Sequence, residues 1–232
     1  MSHEQPWVLH IANKNYSSWS LRPWVLFREL GIPFNERLSP FHDASQRSFL
    51  TFSPTGKVPC LIDGDVIVWD SLSIVEYAAE SHPSVWPADR TARAWARSAC
   101  AEMHAGFSTV RNHCGMNCGL RVQLHQVTAA LKTEWDRLDA LWCEGLSRFG
   151  GPFLTGAAFT AADAFFAPVA FRIQTYAPEL SPTATGYTQR LLDLGPMREW
   201  YEAALNEPWR DLPHEADIRR YGRVVEDRRR AP

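Results

Sequence analysis

The fold of this chain is decided by residues 56–81, GKVPCLIDGDVIVWDSLSIVEYAAES. Two apolar runs, Val58–Ile62 and Val66–Trp69, are separated by an Asp-Gly pair, which is a strong signal for a hairpin of two antiparallel strands. The second run leads directly into Ser71–Ser81, whose apolar residues recur on one side of a helix. The stretch therefore predicts two paired strands followed at once by a helix.

The residues before this stretch predict a strand–helix–strand unit. Trp7–Ile11 is apolar and typical of a strand, and the helical pattern after it ends at Gly31, the usual kind of residue after a helix. Phe34–Leu38 is a candidate strand, and Asp43–Phe52 is weakly helical. Together these elements predict one layered α/β unit over residues 1–82.

The sequence changes character after residue 82. Residues 83–90 hold two prolines on either side of Trp86, which predicts a linker. Beyond it the strand signals fade and apolar residues recur at helical spacing, so we expect an all-helical domain over residues 91–232. The positions that carry this pattern are Trp95, Ala99, Met103, Phe107, Val110, Leu124, Val127, Leu131, Leu138, Trp142, Phe166, Val169, Ala170 and Ile173.

Composition and charge exclude several classes of function. The 232 residues include 24 basic and 26 acidic side chains, a formal net charge of −2, so no basic field is present to bind a nucleic-acid backbone. The sequence has no run of about 18 apolar residues, and its first ten residues lack the pattern of a signal peptide. We expect a cytoplasmic protein without nucleic-acid or membrane partners, and an arginine-rich tail over Asp217–Pro232 that lies largely at the surface.

The five cysteines are an odd number in a long chain, which argues against a disulfide framework. His113, Cys114 and Cys118 lie close together, but a zinc site takes about four ligands and no second cluster completes this one. We therefore expect free thiols and no metal.

Three short segments are candidates for a binding site. In the first, Pro59 follows Val58 at the start of a strand, so either their peptide is cis or the proline is trans at the first residue of an edge strand. In the second, Asp70 and Ser71 precede a helix, where they cap it or bind a head group that carries an ammonium and a carboxylate. The third is YSSWSLR, residues 16–22, where serines at a helix start either cap the helix or donate to a thiolate and lower its pKa.

These segments, in this order, resemble the cytosolic glutathione transferases. The stretches that carry the resemblance are residues 17–22 (SSWSLR), 56–59 (GKVP) and 69–74 (WDSLSI). The resemblance covers nearly the whole chain. It implies an α/β, thioredoxin-like N-terminal domain over residues 1–82 and an all-α C-terminal domain over residues 91–232.

The resemblance also implies that glutathione is the co-substrate and which residues hold it. In the family the Val-Pro peptide is cis and pairs with the cysteinyl backbone of glutathione, which carries over to Val58 and Pro59, preceded by Lys57. An acid–serine pair before the third helix of the N-terminal domain holds the γ-glutamyl group, which carries over to Asp70 and Ser71. The family more often has Glu at the acidic position.

The catalytic residue is implied by a pattern of the serine-type classes, Ser-Ser-Cys-Ser-x-Arg, best known from the zeta class. Its first serine aligns with Ser17, and Ser18 is the close alternative because a one-residue shift of the helix start would exchange them. Trp19 stands where the pattern has Cys, which argues against a maleylacetoacetate isomerase and against thiol–disulfide exchange. The expected chemistry is a serine hydroxyl that stabilises the glutathione thiolate for attack on a hydrophobic electrophile.

The electrophile is expected beside the sulfur, in an apolar pocket between the domains. Its predicted lining residues are Tyr16 and Trp19 on one side and Met103, His104, Phe107 and Arg111 on the first helix of the second domain. Thr160 and Asp163 predict a capping box that begins a central helix. We expect a homodimer; the alternatives to a transferase are a glutathione-dependent isomerase and a non-catalytic glutathione-binding protein.

Overall fold

The computed structural model describes residues 6–41 and 48–231. Its first part contains β1 (Trp7–Ile11), α1 (Ser18–Glu29), β2 (Phe34–Leu38), β3 (Cys60–Asp63), β4 (Val66–Trp69) and α2 (Ser71–Ser81). The strands form one sheet of order β2-β1-β3-β4, in which β2 is parallel to β1 while β3 and β4 run antiparallel to their neighbours. This confirms the predicted thioredoxin-like fold. Half of the weakly helical segment Asp43–Phe52, residues 43–47, lies outside the described residues.

The β3–β4 hairpin and the helix after it agree with the sequence prediction. Gly64 occupies the turn with φ +56°, a left-handed conformation that glycine adopts without steric cost. Strand β3 begins at Cys60 rather than Val58. Pro59 has no N–H to donate to a neighbouring strand, which explains the later start. Helix α2 follows β4 directly and has the bounds that the apolar pattern predicts.

The second part of the chain is mainly helical. After a short 3₁₀ helix (Pro83–Val85) it contains α3 (Arg90–Ala105), α4 (Ser108–His113), α5 (Ala129–Phe149), α6 (Ala161–Tyr176), α7 (Pro182–Asp193), α8 (Gly195–Asn206) and α9 (Leu212–Tyr221). The helical architecture is confirmed, with one addition: β5 (Leu120–Leu124) and β6 (Gly222–Asp227) form an antiparallel pair. In the described part of the chain, no helix is long and apolar enough to cross a lipid bilayer.

The β5–β6 pair corrects two details of the sequence analysis. Leu124 lies in a strand and Val127 in an exposed loop, although both were expected on a helix. The strand that pairs with Leu124 begins about a hundred residues later, at Gly222, so no local spacing could indicate the pairing. A Cβ on Gly222 would lie 2.5 Å from a methyl of Val122, which explains a glycine where the strands approach.

Helix α6 is the central helix of the second part and packs against α1, α3 and α7. The predicted capping box at its start is present: Thr160 N–H donates to Asp163 Oδ2 (3.0 Å). Asp163 Oδ1 accepts from the Leu154 N–H (2.9 Å) and the Tyr187 hydroxyl (2.7 Å). Complete burial raises the pKa of Asp163 to about 6, against the effect of these donors. The box is a structural anchor.

The loop between β1 and α1 is held by the far end of the second part. Glu207 accepts from the N–H of Asn15 (3.3 Å), and the Trp200 indole donates to the Lys14 carbonyl (2.8 Å). Lys14 pairs with Glu36 on β2 (2.8 Å). All these partners are buried or half-buried, so the loop that begins α1 has a fixed position relative to both parts of the chain.

Candidate functional site

A cavity of about 640 Å³ lies at the start of α1, between the two parts of the chain. Residues that precede position 60 form what we call the N-terminal wall, which includes Ser17, Ser18, Trp19, Lys57 and Val58. Residues beyond position 110 form the C-terminal wall, which consists of Arg111, Asn112, Gly115, Met116, Arg172 and His214. A smaller cavity of about 260 Å³ adjoins the C-terminal wall and also contacts Asp217.

The two serines on the N-terminal wall have different partners. The Ser17 hydroxyl donates to Ser20 Oγ (2.7 Å), which in turn accepts from the Ala12 N–H (3.4 Å). Ser18 Oγ accepts from Arg172 Nη2 (3.4 Å). The proton of Ser18 therefore has no acceptor among the described residues, whereas Ser17 must turn away from Ser20 to donate into the cavity. Both side chains are nearly buried and sit at the N-terminus of α1, where unpaired N–H groups favour an anion.

The cis peptide that the resemblance implies is present between Val58 and Pro59. Gly56, Lys57 and Val58 line the cavity, while Pro59 is buried behind them. The backbone of Val58 and the exposed ammonium of Lys57 therefore belong to the same cavity as the serine pair.

Asp70 and Ser71 lie next to the cavity rather than in its wall. Asp70 has φ +73° and caps α2 by accepting from the Leu72 N–H (2.8 Å). Its other oxygen lies 3.5 Å from His104 Nε2, and the carboxylate is 42% exposed. Ser71 is buried and its Oγ accepts from Arg22 Nη1 (3.4 Å). The pair thus caps the helix, and Asp70 stays open to a ligand.

Arg22 and Trp19 connect this pair to the cavity. The Arg22 guanidinium lies 4.2 Å from the centre of the Trp19 ring and has no carboxylate partner among the described residues. Its Nε is buried without a hydrogen bond, and burial lowers the pKa of Arg22 to about 9. Arg22 lies within the SSWSLR motif, but the sequence predicted no role for it.

The predicted pocket residues of the second domain separate into two groups. Helix α3 ends at Ala105, so the four residues do not share one helix. Arg111, on α4, lines the cavity, and His104 contacts the edge of Trp19 (ring centres 5.1 Å apart). Met103 and Phe107 do not reach the wall. Met103 is a core residue, and Phe107 is buried in a left-handed conformation between the helices; their assignment to the pocket is corrected.

Tyr16 lines the cavity with its ring, but its hydroxyl points elsewhere. The hydroxyl donates to Glu215 Oε1 (2.8 Å), and Arg229 pairs with both oxygens of that carboxylate. Burial, together with the charge of Glu215, raises the pKa of Tyr16. Arg229 belongs to the tail, which lies largely at the surface as expected, but the Arg229 side chain itself is only 3% exposed. Through Arg229 the tail supports the cavity wall.

His214 and Arg172 also line the cavity, although the sequence did not predict either of them. The His214 ring stacks between Tyr16 and Phe41 (ring centres 5.1 and 5.3 Å away), and its Nδ1 bonds the Asp211 carboxylate. Arg172 lies in the second half of α6, where the mainly apolar pattern gave no functional signal. Both positions reach the cavity only through tertiary packing.

The cysteines are free thiols, as expected, and four of the five are buried. Burial raises the pKa of Cys114 to about 12, so this thiol stays protonated at neutral pH. Within residues 6–41 and 48–231 no group of three or more His, Cys, Asp and Glu side chains is arranged to hold a metal ion.

Comparison with known proteins identifies relatives over most of the chain. Residues 16–81 match the family model "Glutathione S-transferase, N-terminal domain", and residues 93–203 match "Glutathione S-transferase, C-terminal domain". The glutathione S-transferase-like protein OpS6 of Beauveria bassiana is 27% identical over 213 residues, which cover 86% of this chain and 93% of that protein. A probable maleylacetoacetate isomerase of Caenorhabditis elegans is 29% identical over 115 residues, which cover 48% of this chain and 52% of that protein.

A solved structure supports the same assignment at the level of fold. A glutathione transferase homologue from Burkholderia, crystallised with bound glutathione, superposes with a TM-score of 0.65 at 21% identity. The match covers 86% of this chain and 98% of that one. With matches to both domains of one family in their usual order, the chain belongs to the glutathione S-transferase family.

Proposed function

We propose that this chain is a glutathione transferase that binds glutathione in the cavity and presents its sulfur, as a thiolate, to a hydrophobic electrophile. The observation that carries the proposal is the presence of Val58, from the cis Val58–Pro59 peptide, in the same cavity as Ser17 and Ser18. One surface would then hold the cysteinyl backbone of glutathione within reach of hydroxyl donors at a helix N-terminus.

The remaining contacts to glutathione are proposed as follows. The Lys57 ammonium faces a carboxylate of the tripeptide, and the half-exposed Asp70 carboxylate accepts the γ-glutamyl ammonium. The first N–H groups of α2, beginning at Ser71, receive the γ-glutamyl carboxylate. The Ser71 hydroxyl is held by Arg22, so Arg22 fixes the residue that begins this helix.

The chemical step needs stabilisation of an anion rather than a base. A free thiol has a pKa of about 8.5 and is mostly protonated at neutral pH. A hydroxyl donor from Ser17 or Ser18 and the N-terminus of α1 favour the ionised sulfur, and the thiol proton passes to solvent. Arg172 donates to Ser18 and so leaves the Ser18 proton free for the sulfur. The sulfur then forms a bond to the electrophilic carbon as the leaving group departs with its electron pair.

Binding and turnover together test this function. The full chain is expected to bind glutathione in calorimetry and to convert 1-chloro-2,4-dinitrobenzene to its glutathione thioether. Binding without any thioether would favour the non-catalytic alternative, and absence of binding would contradict the proposal. The name of the nematode relative suggests the isomerase alternative, which is tested by measuring isomerisation of maleylacetoacetate. Isomerisation by the wild-type chain would favour this alternative, and isomerisation only by Trp19→Cys would argue against it.

We also propose a homodimer in which the N-terminal domain of each subunit packs on the C-terminal domain of the other. Val66, Ile67 and Trp69 on β4, an edge strand of the sheet, are each between 43 and 45% exposed. An apolar edge strand is a surface that proteins usually cover. Light scattering is expected to give twice the chain mass of 26.3 kDa; a value near 26.3 kDa would contradict the dimer.

A further inference from the structure

The cavity carries more positive charge than the proposed contacts to glutathione use. Three cationic side chains, Lys57, Arg111 and Arg172, line its walls, together with His214. Among the described residues no carboxylate lines this cavity, in a chain whose formal net charge is −2. Lys57 is assigned above to glutathione, which leaves the two arginines on the C-terminal wall without an anionic partner.

Arg172 is held firmly but is not neutralised. Its Nε donates to the Cys114 carbonyl (2.9 Å) and its Nη1 to the Pro168 carbonyl (3.4 Å), and Ser18 Oγ accepts from Nη2. These contacts use three of the five N–H groups of a guanidinium, so two remain without an acceptor among the described residues. Its residue exposure is 4%, and burial lowers its pKa to about 10, which still leaves it charged at neutral pH.

Arg111 completes the positive wall. Its Nη1 donates to the His104 carbonyl (3.0 Å), and its guanidinium lies 5.3 Å from the centre of the Trp19 ring. The acid with the strongest effect on it is Glu134, whose carboxylate accepts from two backbone N–H groups at the start of α4. Arg111 thus makes no ion pair with a carboxylate among the described residues.

A buried cation without a counter-charge is costly, and a ligand anion is the group that relieves the cost. We propose that Arg111 and Arg172 form a carboxylate-binding site, so that the electrophile is an anion whose apolar part carries the reactive carbon. The inference rests on the proposed function, and it names the substrate class of the same cavity. Guanidinium groups suit a carboxylate because they donate two parallel hydrogen bonds to it. The contact of Arg172 with Ser18 places the carboxylate site beside the proposed sulfur position.

A pair of matched electrophiles tests the site during turnover. In 4-chloro-3-nitrobenzoate and 4-chloro-3-nitrobenzamide the sulfur forms a bond to the ring carbon, and chloride leaves with the electron pair of the broken C–Cl bond. Only the benzoate offers an anion. Arg111→Gln and Arg172→Gln are expected to lower kcat/KM for the benzoate by about tenfold or more, the usual effect of losing a charge-assisted hydrogen bond. For the benzamide, Arg111→Gln should change kcat/KM by no more than about twofold. Arg172→Gln is expected to slow both electrophiles, because Arg172 also contacts Ser18, but it should slow the benzoate by about tenfold more than the benzamide.

Binding of unreactive probes tests the site independently of catalysis. Calorimetry without glutathione is expected to show that the wild-type chain binds 3-nitrobenzoate about tenfold more tightly than 3-nitrobenzamide, and that both variants lose this preference. Arg111 is half-buried, so Arg111→Gln keeps the test valid if Arg172→Gln fails to fold. Arg148→Gln, an exposed arginine on α5, is the matched control and should behave as the wild type.

Each outcome separates the inference from the proposed function. Equal affinity of the wild type for 3-nitrobenzoate and 3-nitrobenzamide overturns the carboxylate site. An equal fall in kcat/KM for both electrophiles in the variants also overturns it. Weaker glutathione binding in Arg111→Gln or Arg172→Gln also overturns it, because these arginines would then serve glutathione itself. Preference for 3-nitrobenzoate without any thioether formation supports the site and contradicts the transferase function.

Discussion

The two walls of the cavity are formed by different kinds of residues. The N-terminal wall comes from short motifs, SSWSLR and GKVP, which offer hydroxyl groups, backbone groups and a helix N-terminus. The C-terminal wall comes from side chains that are far apart in sequence, such as Arg111, Arg172 and His214. A neighbour holds each of these side chains. Backbone carbonyls accept hydrogen bonds from Arg111 and from Arg172, and the Asp211 carboxylate bonds the His214 ring. Backbone-rich motifs suit a constant co-substrate, whereas anchored side chains suit selection among electrophiles.

The largest expected effect comes from loss of the buried ion pair that supports the C-terminal wall. Among the described residues, Arg229→Ala leaves the buried Glu215 carboxylate with hydrogen bonds from Tyr16 and Asn117 and with the exposed Arg219 3.6 Å away. The loss of Arg229 should lower the free energy of unfolding by about 3 kcal/mol. Urea unfolding measures the loss. Arg228→Ala is the control: Arg228 is next to Arg229, but it pairs with the exposed Glu226 and bonds the Tyr201 side chain, so its loss should change the unfolding midpoint little. Equal midpoints for the two variants would contradict a supporting role for the tail.

The proposed γ-glutamyl site, which lies next to the N-terminal wall, is tested at Asp70. Asp70→Asn keeps an N-cap acceptor for α2 but removes the charge, so glutathione affinity should fall by about tenfold while the melting temperature stays near wild type. Asp70→Ala should lose the same affinity and also about 0.5–2 kcal/mol of stability, because the cap is lost. Calorimetry and thermal melts separate the two effects. Unchanged affinity in both variants would place the γ-glutamyl group elsewhere.

The ion pair of Glu215 with Arg229, which supports the C-terminal wall, is expected to make the stability of the protein sensitive to acid. Burial alone would raise the pKa of Glu215, but the hydrogen bonds from Arg229 and Tyr16 outweigh it and hold that pKa below its ordinary value. The stability that the pair contributes is therefore fully present above about pH 4.3, the ordinary pKa of a glutamate, and is lost as the pH falls through the lower folded-state pKa. Glu215→Gln should flatten this acid limb of the unfolding free energy. An unchanged slope below pH 4.3 would contradict the assignment.

The contrast between the walls also explains what the sequence could predict. The hairpin, helix α2 and the capping box depend on neighbours in the chain, and the structure has them where the sequence places them. The motifs proposed to hold glutathione are local too. By contrast, Arg172 lies in an apolar helix, and Arg229 reaches Tyr16 across more than two hundred residues. Such contacts exist only after packing, so spacing along the chain gives no signal for them.

The errors of the sequence analysis have the same origin. Met103 and Phe107 have helical spacing with Arg111, but the chain leaves the helix after Ala105 and both side chains turn into the core. Leu124 has the spacing of a helix and pairs instead with Gly222. In each case a local pattern fits one element, and contacts with distant residues impose another.

The central claim is that a hydroxyl of the Ser17–Ser18 pair stabilises the thiolate of bound glutathione. The most direct measurement is an ultraviolet difference titration of the complex, because the thiolate absorbs where the thiol does not. Alanine at the donor position should raise the pKa of bound glutathione by about one unit, equivalent to about 1.4 kcal/mol, with little change in affinity. A rise in Ser18→Ala would assign the donor to the serine whose proton is free, and a rise in Ser17→Ala to the serine that the family alignment favours. An unchanged pKa in both variants would contradict the claim.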